Sequence, residues 1–146
     1  MDKKDKQEKF KYMEHTADVK FQAFGSTIGE AFENSALAMF DSMSDDKIKE
    51  KFVKKIKVQG KDNENLLYEF LEELLVLFDT ELFFLSRVKS IKIKKNKNLE
   101  LEAEVSGDKA ENYEMKTDIK AITYNDMFVK KDSKTGKWIC QAVLDV

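Results

Sequence analysis

The sequence predicts a single α+β domain in which two main helices pack on an antiparallel-rich, mixed β-sheet. Three observations lead there. Two stretches carry apolar residues at helical spacing, several others alternate apolar and polar residues with period two, and the strand-like stretches crowd into the second half of the chain. A chain of 146 residues is the size of one domain, and such domains bury roughly 70% of their unfolded surface. With 42% hydrophobic and 37% charged residues, it combines a real core with a heavily charged surface, unlike a disordered chain.

Taken in order, residues 1–9 are charged, lack the apolar centre of a signal peptide and read as a flexible N-terminal arm, with the single domain spanning 10–146. Val19, Phe21 and Ala23 then alternate with Lys20 and Gln22 as a strand with one buried face. Ile28, Ala31, Phe32, Ser35, Ala36, Met39 and Met43 recur at i, i+3, i+4, i+7 spacing, and Thr27 with Glu30 has the form of a capping box, so the first helix starts there. Ile56 and Val58 alternate with Lys55, Lys57 and Gln59. The second helix follows on Leu66, Leu67, Phe70, Leu71, Leu74, Leu75 and Phe78, with Glu69, Glu72, Glu73 and Asp79 mostly off that face.

The next hairpin can be read to its register. A two-residue loop at Asn96 and Lys97 would set Ile93 against Glu100. The three-residue loop Asn96, Lys97, Asn98 instead sets Ile93 against Leu101 and Ile91 against Ala103, and brings Lys94 beside Glu100 and Lys92 beside Glu102 on the other face. A slip of one residue would spoil both faces. Residues 115–123 and 138–144 also alternate. In the first, Lys120 shares a strand face with Lys116 and Asp118, opposite Thr117, Ile119 and Ala121; in the second, Trp138, Cys140, Ala142 and Leu144 form the core face.

The functional classes narrow by elimination. Lys plus Arg (26) nearly balances Asp plus Glu (28), which argues against a whole-protein field that captures nucleic acid. Cys140 is the sole cysteine, so no disulfide closes within one chain, as expected of a reducing, cytoplasmic setting. The apolar runs are too short to span a bilayer. There is no Gly-rich phosphate loop, no paired C-x-x-C and no H-E-x-x-H. A nucleophilic dyad would need His15 with Cys140, and the phase of Cys140 places its thiol in the core. Two carboxylates remain of interest. Asp18 stands between His15-Thr16-Ala17 and a strand; Asp145 ends the last strand, on the face opposite Trp138, Cys140, Ala142 and Leu144. Two aspartates joined by a sheet can hold a hard cation through oxygen; spacing alone leaves open whether they meet.

The words around these residues resemble the archease family. Tyr12-Met13-Glu14-His15-Thr16-Ala17-Asp18-Val19 is similar to its N-terminal signature, followed by Gly25 and then Thr27-Ile28-Gly29-Glu30-Ala31-Phe32. Asn65-Leu66-Leu67-Tyr68-Glu69-Phe70-Leu71 resembles its second-helix motif, Lys116-Thr117-Asp118-Ile119-Lys120-Ala121-Ile122-Thr123-Tyr124 its K-T-E-V-K-A-V-T-Y segment, and Leu144-Asp145-Val146 its closing hydrophobic-Asp-Ile/Val. The pieces run in the family's order across residues 10–146. The sequence departs from the pattern near Tyr113 and at Asn125, where histidines often stand.

The resemblance implies a non-catalytic activator of the RtcB-type RNA-splicing ligase, which joins a 2′,3′-cyclic-phosphate or 3′-phosphate RNA end to a 5′-hydroxyl end after guanylylating its own histidine with GTP and Mn²⁺. It implies that archease promotes that guanylylation and multiple turnover in tRNA splicing and RNA repair, meeting tRNA only through the ligase. By the same resemblance Asp18 and Asp145 are metal-site carboxylates and Lys120 a basic residue needed for activation. Apart from the resemblance, the terminal carboxylate of Val146, adjacent to Asp145, is a third expected donor, and His15 is a supporting residue. The cation is expected to be Ca²⁺ or Mg²⁺ in isolation, with Mn²⁺ as an option with the ligase. The rival readings are a general chaperone or RNA-binding module, which would need a basic face, and a metal-dependent hydrolase on Asp18 and Asp145 with His15 as its base.

Overall fold

The computed structural model describes residues 8–15 and 18–146; residues 1–7 of the expected arm, and Thr16 and Ala17, lie outside the described residues. The chain runs through strands Phe10–Met13 (β1) and Asp18–Gly25 (β2), helix Ile28–Met43 (α1), strand Phe52–Gly60 (β3) and helix Asn63–Glu81 (α2). Strands Phe83–Lys95 (β4) and Leu99–Lys109 (β5), a 3₁₀ turn at Ala110–Asn112, and strands Ala121–Lys131 (β6) and Trp138–Asp145 (β7) complete it.

The α+β class stands, and the sheet divides in two. One sheet has the order β1-β2-β7-β6 and the other β3-β5-β4, and the pairings between neighbours are antiparallel throughout. The expected mixed sheet fails for a topological reason. Helix α2 returns the chain so that β4 runs parallel to β3, but β5 enters between them and pairs antiparallel with both. Each helix touches strands of both sheets, so the apolar stripes had to be wide. Phe32 of α1 stacks on Phe70 of α2 with ring centroids 6.2 Å apart. The polar residues caught in this interior find local partners: Ser35 Oγ donates to Ala31 O at 2.8 Å and Asn34 Nδ2 to Phe24 O at 2.7 Å.

Local signals were obeyed closely. Thr27 Oγ1 accepts from Glu30 N at 3.1 Å, and Glu30 Oε1 returns to accept from Ser26 N at 2.7 Å, one residue before the cap. The β4–β5 hairpin has the predicted register, with Ile93 opposite Leu101, Ile91 opposite Ala103, Lys94 opposite Glu100 and Lys92 opposite Glu102.

Cys140 is fully buried, and burial pushes its thiol up to about 12 from an ordinary value of 9.0, partly offset by Ser35 and reinforced by Glu64. The native protein is therefore expected to react slowly with a thiol reagent at neutral pH and to label at once when unfolded. The folded value lies above the unfolded one, so the stability held in the neutral thiol is complete below the unfolded value. It is lost as pH rises from there toward the folded value. A chemical-denaturation series across that alkaline range would detect the fall.

The strand expected over 115–123 is corrected. Residues 114–120 lie outside the ladders and β6 starts only at Ala121. The reason is where their backbone groups bond. Lys116 N donates to Met43 O and Ser44 Oγ to Glu114 O. Asp46 Oδ2 accepts from Glu114 N at 2.9 Å, and Lys116 Nζ meets Asp45. Glu114 and Lys116 are thus fastened to the end of α1 and the loop after it rather than to a strand, and only Lys120 reaches β7, through a single bond from its N to Asp145 O. The alternation survives without the sheet: Ile119 is buried while Asp118 and Lys120 are exposed.

Candidate functional site

Three strand ends meet at one edge of the four-stranded sheet. In the β2–β7 ladder Asp18 is the direct cross-strand partner of Asp145, and in the β7–β6 ladder Asp145 is the partner of Ala121. Just before β6, Lys120 N donates to Asp145 O at 2.7 Å. The residues taken from three separate sequence words, Asp18, Lys120 and Asp145, are therefore neighbours in backbone terms. The alternation that buries Val19, Phe21, Ala142 and Leu144 in or against the core turns both aspartate side chains to the other face of the sheet.

Like charges placed directly opposite in an antiparallel pair destabilise it, by roughly 0.2–1 kcal/mol. His15 adds a second tension. Its Nδ1 lies 3.3 Å from Asp18 Oδ2, without the alignment that a hydrogen bond needs, and among the described residues that buried atom has no hydrogen-bond partner. Both features fit a positive charge at this edge. Among the described residues no cluster of three or more His, Cys, Asp or Glu side chains forms a closed metal cage. Asp18 and Asp145 could instead offer two hard carboxylates on one side, the oxygen donors that a Ca²⁺- or Mg²⁺-like ion takes, with the rest of its shell left to water or a partner. The side chain of Val146 packs against the core.

Two residues of this face were missed in the sequence. Lys20 follows Asp18 on the same side of β2, and Lys20 Nζ lies 3.5 Å from Asp126 Oδ2. Asp126 sits in a register shift of β6 between Thr123 and Phe128, and no sequence pattern announces such a shift. Tyr113 donates its hydroxyl to Asp108 Oδ2 at 2.7 Å and accepts from Lys49 N at 3.0 Å, a structural tie between β5 and the loop before β3.

The model of the Archease protein family (MTH1598/TM1083) matches residues 10–146. The chain belongs to the archease family. It is 42% identical to Protein archease of Pyrococcus abyssi over 143 residues, covering 94% of this chain and 99% of that one. It is 39% identical to Protein archease of Sulfurisphaera tokodaii over 142 residues, covering 95% and 99%. The fold is similar to the solution structure of Methanobacterium thermoautotrophicum protein 1598, with a TM-score of 0.81 and 32% identity over 94% of this chain and 99% of that one. In this chain the fold pairs Asp18 with Asp145 across β2 and β7, on the face opposite the core residues that pack under the helices.

Proposed function

We propose that this member of the archease family is a non-catalytic activator of an RtcB-type RNA-splicing ligase, acting in the cytoplasm in tRNA splicing and RNA repair. The observation that carries the reading is the meeting of Asp18, Asp145 and the Lys120 backbone at one sheet edge in a chain of that family. Guanylylation of the ligase is a nucleotidyl transfer, so placement and charge neutralisation are what a helper protein can contribute. A divalent cation held by Asp18 and Asp145 would supply charge neutralisation beside the nucleotide or the ligase's own metal. The chain's part is to present two carboxylates on a rigid ladder, backed by core residues on the reverse face, where they enter a partner's pocket without moving. Lys120, exposed and tied through its backbone to Asp145, offers a cation to an anionic group of that pocket. His15 is proposed as an additional donor.

A protein partner is favoured over direct RNA binding by the charge pattern of the second sheet. Lys55 and Lys57 stand opposite Glu104 and Glu102, and Lys92 and Lys94 opposite Glu102 and Glu100, so the lysines form no uninterrupted basic track. Mixing the protein with the ligase and counting ligation turnovers and guanylylated ligase tests the reading; no increase over the ligase alone would refute it. Lys120→Ala is expected to slow guanylylation about tenfold or more, the scale of losing one charged contact in a desolvated pocket, with an unchanged thermal melt. Wild-type activation by this variant would remove Lys120 from the site.

A further inference from the structure

Lys20 presents a problem for the aspartate pair. It is two residues from Asp18 along β2, and its cross-strand partner Val143 is two residues from Asp145. Residues so related share a face, and diagonal neighbours at about 7 Å are within reach of a long side chain. A lysine there can fold onto either carboxylate and cancel its charge. Its ammonium is directed elsewhere. Lys20 Nζ sits 3.5 Å from Asp126 Oδ2, and the lysine side chain is only 19% exposed although Asp126 is 53% exposed.

The backbone shows how Asp126 reaches it. Between Thr123 and Phe128 the β6–β7 register shifts; Tyr124 of this stretch stacks on Tyr68 of α2, while Asp126 comes over the Lys20 and Gln141 face. Asp126 takes a left-handed φ of 55°, which aspartate accepts more readily than most residues. Its carbonyl accepts from Gln141 Nε2 at 2.7 Å, and Gln141 Oε1 accepts from Gln22 Nε2 at 2.8 Å. The loop is pinned by side chains of β2 and β7, so the Asp126 carboxylate is held in place over Lys20.

We propose that the Asp126 loop is a positioning device that holds the Lys20 ammonium off Asp18 and Asp145, leaving that pair its full negative charge for a divalent cation. The inference rests on the reading of Asp18 and Asp145 as the cation-binding carboxylates. Asp126 is then a positioning residue acting through Lys20, and Lys20 is an internal competitor of the cation.

Isothermal titration of calcium chloride, and separately manganese chloride, into the wild-type protein, Lys20→Met, Asp126→Asn and the double variant tests this. Asp126→Asn is expected to weaken cation binding about tenfold, the scale of a unit charge moved by a few ångström near a protein surface. Lys20→Met is expected to tighten it, a gain that lost structure does not produce. In the Lys20→Met background, Asp126→Asn should have a much smaller effect, because only its own distant charge is then removed. Equal weakening with and without Lys20, or no tightening in Lys20→Met, overturns the inference while leaving the cation site standing. Absence of cation binding in both the wild-type protein and Lys20→Met overturns the inference together with the reading on which it rests.

Discussion

Asp18→Ala and Asp145→Ala are each expected to drop guanylylation of the ligase to its unassisted rate, with the fold intact. The two aspartates are direct cross-strand partners, and on the proposed reading they act as one unit, so losing either removes the arrangement; non-additivity should be pronounced, the double variant being no worse than each single one. The fold should survive because the side chains lie off the core face. The structural hydrogen bond at Asp145 is its backbone carbonyl receiving Lys120 N, which alanine preserves. Relief of the like-charge contact should leave the melting temperature unchanged or slightly higher, the pair's repulsion being roughly 0.2–1 kcal/mol. Circular dichroism melts beside the guanylylation assay read both halves of the prediction. Full activation by the double variant would sink the site, and activity lost together with the fold would make the aspartates structural.

Gly107→Ala is expected to have the largest effect on stability. Gly107 lies near the end of the central strand of the three-stranded sheet, opposite Phe52 on one side and Leu85 on the other. A Cβ there would overlap the Phe84 carbonyl oxygen and come within 2.9 Å of Phe83 Cζ. The first obstacle is backbone in a paired strand, beside the bulge between Leu85 and Arg87, so it cannot swing aside as a flexible side chain would. A loss of about 3 kcal/mol is expected, the upper end for overpacking, or a fall of roughly 10 °C in melting temperature for a domain of this size. Gly136→Ala is the control. It has φ of 74° and nothing within 4 Å of an added Cβ, so only the left-handed backbone is penalised, by roughly 1–2 kcal/mol. A Gly107→Ala melt no lower than that of Gly136→Ala would contradict the packing argument.

Much of the architecture was legible where a local rule decides. The helix starting at Thr27 follows from a side chain that satisfies a nearby amide. The β4–β5 register follows because period-two alternation leaves only one pairing that matches both faces. Burial of Cys140 follows from the same alternation. What misled was the stretch 114–120, where alternation is real but the bonds of Glu114 and Lys116 go to the end of α1 and the loop after it. Period two reports which side chains are buried, not which backbone partner the residues find. The short strand β1 and the later half of β6 also went unread, since neither carries a clean alternation.

The sequence by itself determined the α+β class, the two helices, the hairpin register and the buried thiol, and its words pointed to Asp18, Lys120 and Asp145. Only the tertiary structure decided that these three lie together, that the strands part into two antiparallel sheets, and that Lys20 belongs to Asp126. The physical reason is range. Propensity, capping and alternation act between residues a few positions apart. The Asp18–Asp145 contact depends on strand order between the two ends of the chain, and the Lys20–Asp126 pair on a register shift that only the packed sheet can hold.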